Sequence, residues 1–337
     1  MNTSTNKTQN NCRFCSEISQ TNGEAPIGSA NNAEQYLIIE AVQPWSNNIW
    51  INPDSIPQDV LDPLQFIWGN GGSIRPLAIA PDKEYSHPDY TRVFFYRRPA
   101  KFFAQFEKHE FILPHALLGS LALALLKNPE ELPNFDQYRQ KTNHIREILV
   151  CNHGNVDAAC SRFGYPIYQK LRSKYAAANN INLRFWRCSH FGGHQFAPTL
   201  VELPQGQYWG HLKPEILDLL VRRNGSVKEL YPYYRGWGGL SCFEQIAERE
   251  IWMLEGWQWL QYLKRGETIT TATTHHEDEE PDWAEVQIEY TSPDGSDSGV
   301  YEVRVEVCGT VMTQWRSGAD QPLENTKQYQ VSSLLKR

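Results

Sequence analysis

What the 337-residue sequence lacks narrows its class first. No apolar run approaches the ~20 residues that a bilayer-spanning helix needs. The opening MNTSTNKTQNN is polar, with neither an apolar signal core nor an Arg-rich amphipathic character. A soluble, cytoplasmic protein without membrane insertion is expected. There is no basic block and no alternation of Lys or Arg with aromatic residues, and the formal charge is -7. That leaves no electrostatic footprint for nucleic acid or anionic lipid, whereas a basic redox partner is compatible. Seven cysteines (Cys12, Cys15, Cys151, Cys160, Cys188, Cys242 and Cys308) are an odd number spread thinly through a large chain. A disulfide framework is therefore not expected, and metal binding, redox chemistry or plain burial remains for each.

What is present is ample core material, with 40% hydrophobic residues, 11 Trp and 16 Tyr, enough for two or three domains. Residues 1–11 read as a disordered tail, and 12–140 as an N-terminal α/β domain. Within it QYLIIEAVQPW, SIRPLAIAP and TRVFFYRR read as strands, and HALLGSLALALLKN as a buried helix. PEELPNF is a plausible boundary loop.

A second unit spans 144–240. IREILVC is a strand, NHGNVDAAC a loop, and FGYPIYQKLRSKYAAAN a helix with Pro166 near its start and Ile167, Leu171 and Tyr175 on one stripe. INLRFWRC is the next strand, PTLVELP and QYWGHL form a hairpin, and PEILDLLVRR is a helix stopped at Asn224-Gly225. Strand, helix, strand, hairpin, helix is the element order of a thioredoxin fold. Residues 241–337 read as a long amphipathic helix from about Phe243 to Arg265, an acidic linker HHEDEEPD, and a small antiparallel sheet from AEVQIEY, VYEVRVEVCG and KQYQVSSL.

The chemistry concentrates in WRCSHFGGHQFAP. His190 and His194 have helical spacing, but Gly192 and Gly193 between them would cost a helix roughly 2 kcal/mol relative to alanine, and the general-base Glu of HExxH is missing. They belong to a loop that glycine lets curl. Cys151 ends the first strand of the unit and Cys160 follows after eight residues. The first two strands of this fold are parallel neighbours, so the loops leaving them share an edge, where Cys151, Cys160, His190 and His194 can converge. Two thiolates and two imidazoles fit tetrahedral zinc, or a 2Fe-2S cluster with the cysteines on one iron and the histidines on the other. Spacing alone does not choose between them. A Rieske reading of Cys151-Asn-His153 fails at its second box, because Cys188-Ser-His190 is C-x-H rather than C-x2-H. His153 and Cys188 remain as neighbours of the centre, Cys188 by default a small buried residue. Cys12-Arg-Phe-Cys15 is a C-x2-C without a second copy, and does not follow a strand into a helix.

CNHGNVDAAC, followed by WRCSHFGGHQFAPTLVELPQGQYWGHL and YPYYRGWGG, resembles the sucrase/ferredoxin-like family, as does the start CSEISQTNGEAPIGSANNAEQYLIIEAVQPW; together the match spans about residues 12–245. The resemblance implies a thioredoxin-like ferredoxin domain carrying a bis-histidinyl 2Fe-2S cluster. Cys151 and Cys160 would be the thiolate ligands, and His190 and His194 the imidazole ligands. Ala159 stands where family members often have a further cysteine. The family's sucrase label finds no glycosidase context in this chain.

The expected fold is α+β, a thioredoxin-like ferredoxin domain with a mixed sheet flanked by helices, an N-terminal α/β region and a small C-terminal antiparallel extension. The expected function is electron transfer through the cluster to a redox protein partner, with reduction coupled to protonation at a histidine ligand. A zinc-stabilised binding or scaffold protein, and a thiol oxidoreductase using Cys12 and Cys15, are the alternatives.

Overall fold

The computed structural model describes residues 13–51, 56–176, 182–274, 280–318 and 320–337. The expected tail 1–11, Cys12, and the 275–279 part of the acidic run lie outside the described residues.

The chain opens with helix α1 (Cys15–Thr21), strand β1 (Gln35–Glu40), helix α2 (Gln58–Gly69), strands β2 (Ile74–Ile79), β3 (Tyr90–Arg97) and β4 (Glu107–Pro114), and helix α3 (Leu118–Leu126). Then come β5 (Arg146–Cys151), α4 (Ala158–Leu171), β6 (Leu183–Cys188), β7 (Leu200–Leu203), β8 (Gln207–Trp209), α5 (Leu217–Arg222) and β9 (Tyr234–Trp237). It closes with α6 (Cys242–Glu255) and strands β10 (Leu263–Thr271), β11 (Trp283–Thr291), β12 (Ser298–Thr313) and β13 (Glu324–Lys336).

Nine strands form one mixed sheet in the order β4-β3-β1-β2-β6-β5-β7-β8-β9. Within it β5 and β6 are parallel while β7 runs antiparallel to β5 and β8 to β7. With α4 joining β5 to β6, this is the thioredoxin arrangement. The sheet does not stop near residue 144: β2 meets β6 through Ile79 and Cys188, and Ala78 donates to the Ser189 hydroxyl at 2.9 Å.

Both faces of the sheet are covered, which is why strands such as β1, β5 and β7 are buried along their length instead of alternating. Successive side chains of β1 go to opposite sides: Tyr36 and Ile38 to one core, Leu37 and Ile39 to the other. Helices α2 and α3 cover the second core with Val60, Leu61, Leu64, Leu121 and Leu125, each fully buried side chain contributing roughly 1.5–3 kcal/mol. Helices α4, α5 and α6 cover the first. Several buried charges form a network: Glu147 accepts from Lys108 at 2.7 Å, Arg184 at 3.0 Å and Trp186 at 2.7 Å, while Glu110 takes Arg92 and Arg184.

Two readings of the sequence are corrected. The expected helix from Phe243 to Arg265 begins well, with a capping box between Ser241 and Glu244, but ends at Glu255 because Gly256 turns to φ 75°. Leu263 to Arg265, the end of that expected helix, instead open β10, which continues through the β-branched residues Thr268 to Thr271 and pairs with β11 in a separate four-stranded antiparallel sheet. The helix expected to start near Pro166 begins eight residues earlier, at Ala158, because the Asp157 carboxylate caps it by accepting from Ala159 N–H at 2.8 Å. Pro166 therefore lies inside α4, and Cys160 in its first turn instead of in a loop.

Candidate metal centre

Strands β5 and β6 pair in parallel with Cys151 opposite Cys188, so the chains leaving both strands emerge on one edge. Asp157 then starts α4 and fixes the position of Cys160. Gly164 lets the helix lie against the end of β5, because a Cβ there would run into the Cys151 carbonyl. On the other side, Gly192 and Gly193 adopt φ 90° and 72°, which turns the histidine loop back on itself.

The Cys151, Cys160 and His190 ligand atoms lie within 4.8 Å of one another. The His190 Nδ1 stands 3.8 Å from the Cys151 Sγ and 3.7 Å from the Cys160 Sγ. Burial opposes a thiolate at Cys151, but hydrogen bonds from Cys160 and His190 outweigh it and take its pKa well below the ordinary value. Cys160, which donates to Cys151 and is itself buried, is pushed up.

His194 stands beside this trio with its ring 5.5 Å from that of His190, tilted by 35°. Its Nδ1, however, faces away to a second group, 3.5 Å from the Cys15 Sγ and 3.7 Å from an Asp157 oxygen. Ser317, from the segment after β12, closes that group: its N–H donates to Asp157 at 2.8 Å and its hydroxyl at 2.6 Å. Burial alone would raise the Asp157 carboxyl, yet these donors, the Ala159 N–H and His194 bring it below the ordinary value. Burial lowers His194 despite Asp157. Cys15 is pushed up to about 12, chiefly by burial, and a thiol so protonated is a poor nucleophile. The dithiol alternative loses its attraction there, while its other member, Cys12, is outside the described residues.

His153 is not free to act as a ligand. Its Nδ1 accepts from the His190 N–H at 3.3 Å, and its Nε2 meets the Trp45 carbonyl at 3.1 Å, so it orients the histidine loop instead. Cys188 is fully buried at the end of β6. Cys242 and Cys308 belong to α6 and β12.

The sequence reading missed Asp157, Ser317 and the placement of Cys15. Asp157 carried a legible signal, an Asx residue just before Ala-Ala-Cys, which is a helix start. Nothing local could bring Ser317 to Cys15, 302 positions away.

The model of the family described as sucrase/ferredoxin-like matches residues 26–236. The match covers more than half of the sequence, so the chain belongs to that family. Helix α1 and everything beyond β9 lie outside the matched region. A thioredoxin-like 2Fe-2S ferredoxin from Aquifex aeolicus is similar at 17% identity over 29% of this chain and 98% of its own, with a TM-score of 0.24. No curated protein matches the sequence. Among the described residues no helix is long and apolar enough to cross a membrane.

Proposed function

With the chain a member of the sucrase/ferredoxin-like family, we propose that it is a one-electron carrier whose 2Fe-2S cluster is held by Cys151, Cys160, His190 and His194. The observation that carries this reading is the convergence of two buried thiols and an imidazole nitrogen within 4.8 Å at one sheet edge, with the second imidazole ring 5.5 Å from the first. The donor set fits the group. Cys151 already favours its thiolate, and thiolates with imidazoles are the ligands of a Rieske-type charge pattern. When bound, the cluster supplies a site that accepts and releases one electron.

The chain's own residues do the rest. Cys151 and Cys160 contribute the thiolates, and His153 fixes the loop that carries His190. Asp157 and Cys15 engage the Nδ1 of His194, so its Nε2 is the nitrogen that would remain to hold the group. A ligating imidazole whose other nitrogen faces a carboxylate is thereby oriented, and the Nδ1 of His194 would be the place where this chain holds or releases a proton. Proton-coupled reduction belongs to this reading, as does a redox protein as electron donor or acceptor.

A single zinc ion is the second reading, favoured by the same close trio, since three ligand atoms around one point also suit one ion. Anaerobic purification separates the two. We expect a red-brown protein with iron and acid-labile sulfide in equal amounts. Cys151→Ser and Cys160→Ser should abolish the colour, and Cys308→Ser should leave it. A colourless protein containing zinc would contradict the proposal.

A further inference from the structure

Arg235, on β9, is 1% exposed. Its Nη1 donates to the Gly192 carbonyl at 3.0 Å, its Nε to the Ser29 hydroxyl at 3.0 Å and its Nη2 to the Ser29 carbonyl at 2.6 Å. All three acceptors are neutral, and the guanidinium otherwise lies near the rings of Phe196 and Tyr208, 5.8 and 5.7 Å from their centroids. A Cβ on Gly193 would strike it. The buried charges of the network around Glu110 and Glu147 are shared between cations and carboxylates. Arg235, among the described residues, is hydrogen-bonded to no carboxylate. An enclosed cation without a counter-charge costs several kcal/mol, and burial lowers this one only to about 10, so it is charged at neutral pH. Through the Gly192 carbonyl it is tied to the loop between His190 and His194, and Tyr208, then Cys151 and Cys160, are the groups whose negative charge would favour it, against the repulsion of Arg75.

We infer that Arg235 is the built-in counter-ion of the metal centre, and that it raises the reduction potential by stabilising the extra negative charge of the reduced state. The inference rests on the cluster reading above. In the pH range where no proton accompanies the electron, reduction adds one electron to the cluster and removes one from the donor protein without making or breaking a bond, so the centre becomes more negative by one charge. Two thiolates and neutral imidazoles around an oxidised cluster carrying two positive charges sum to about zero. The cation therefore interacts more strongly with the reduced form.

The test is the midpoint potential of the full-length, anaerobically purified protein, titrated with dithionite at one pH within the range where the wild-type potential does not vary with pH, with iron and sulfide content measured in the same samples. Arg235→Gln removes the charge and Arg235→Lys keeps it without the fork. Ser29→Asp places a carboxylate beside the guanidinium and leaves it in position. We expect Arg235→Gln and Ser29→Asp each to lower the reduced-to-oxidised ratio at a given potential at least tenfold, which is about 59 mV for a one-electron couple. Arg235→Lys should shift it by less than half as much. If Arg235→Gln loses the cluster, Ser29→Asp decides. Unchanged potentials in cluster-bearing Arg235→Gln and Ser29→Asp, or an Arg235→Lys shift as large as that of Arg235→Gln, would overturn the inference and leave Arg235 as an anchor of the loop. Wild-type protein without iron and sulfide would instead overturn the cluster reading itself.

Discussion

Burial is the largest influence on His211, which makes its effect measurable away from the thiols. It is buried, with Nε2 3.2 Å from the Ser19 hydroxyl. Burial first, then the charges of Arg235 and Lys213, lower it from 6.5 to about 4. The folded pKa lies below the unfolded one, so the unfolded chain takes up the proton first as the pH falls. Stability from this residue is complete above about pH 6.5 and is lost between there and about pH 4, at up to roughly 1.4 kcal/mol per pH unit. Urea unfolding at pH 7 and pH 4.5 should show His211→Gln losing less stability across that interval than the wild type. Equal losses would mean that His211 is not held neutral.

At the scale of elements, the centre depends on how closely α4 lies against β5. Gly164→Ala would gain up to about 1 kcal/mol of helix propensity, but its methyl meets the Cys151 carbonyl, and overpacking typically costs about 1–3 kcal/mol. The expected result is lower stability and reduced cluster content together, because the helix that must move carries Cys160 and the strand ends in Cys151. Iron content and urea midpoint equal to those of the wild type would show that the contact does not set the site. Much at this scale was legible. The order from β5 to α5 followed from apolar runs and turn residues, and the sharing of one edge by Cys151 and the histidine loop followed from the parallel pairing of β5 with β6. The start of α4 and the end of α6 were misread because single residues, Asp157 and Gly256, outweighed the broader pattern around them.

Taken whole, the chain joins parts that are distant in sequence around one edge. The nine-stranded sheet runs from β4 to β9 without interruption, and Glu110 on β4 and Glu147 on β5 share Arg184 of β6 beneath it. Beyond the family match, α1 brings Cys15 to His194, and Ser317 reaches back to Asp157. The Gln328 side chain accepts from the Ala25 N–H at 2.8 Å, tying β13 to the segment after α1. None of these long-range contacts was readable locally, since each pairs residues whose sequence neighbourhoods carry no signal for the other. The four donors, by contrast, stood out because cysteine and histidine at two short spacings have few other uses. The measurement that bears most directly on them is pulsed electron paramagnetic resonance of the dithionite-reduced protein labelled with ¹⁵N-histidine. The ligand assignment predicts couplings from two histidine nitrogens to a reduced cluster, one of them absent in His190→Cys and the other in His194→Cys. A cluster signal without histidine couplings, or couplings that survive both substitutions, would contradict it.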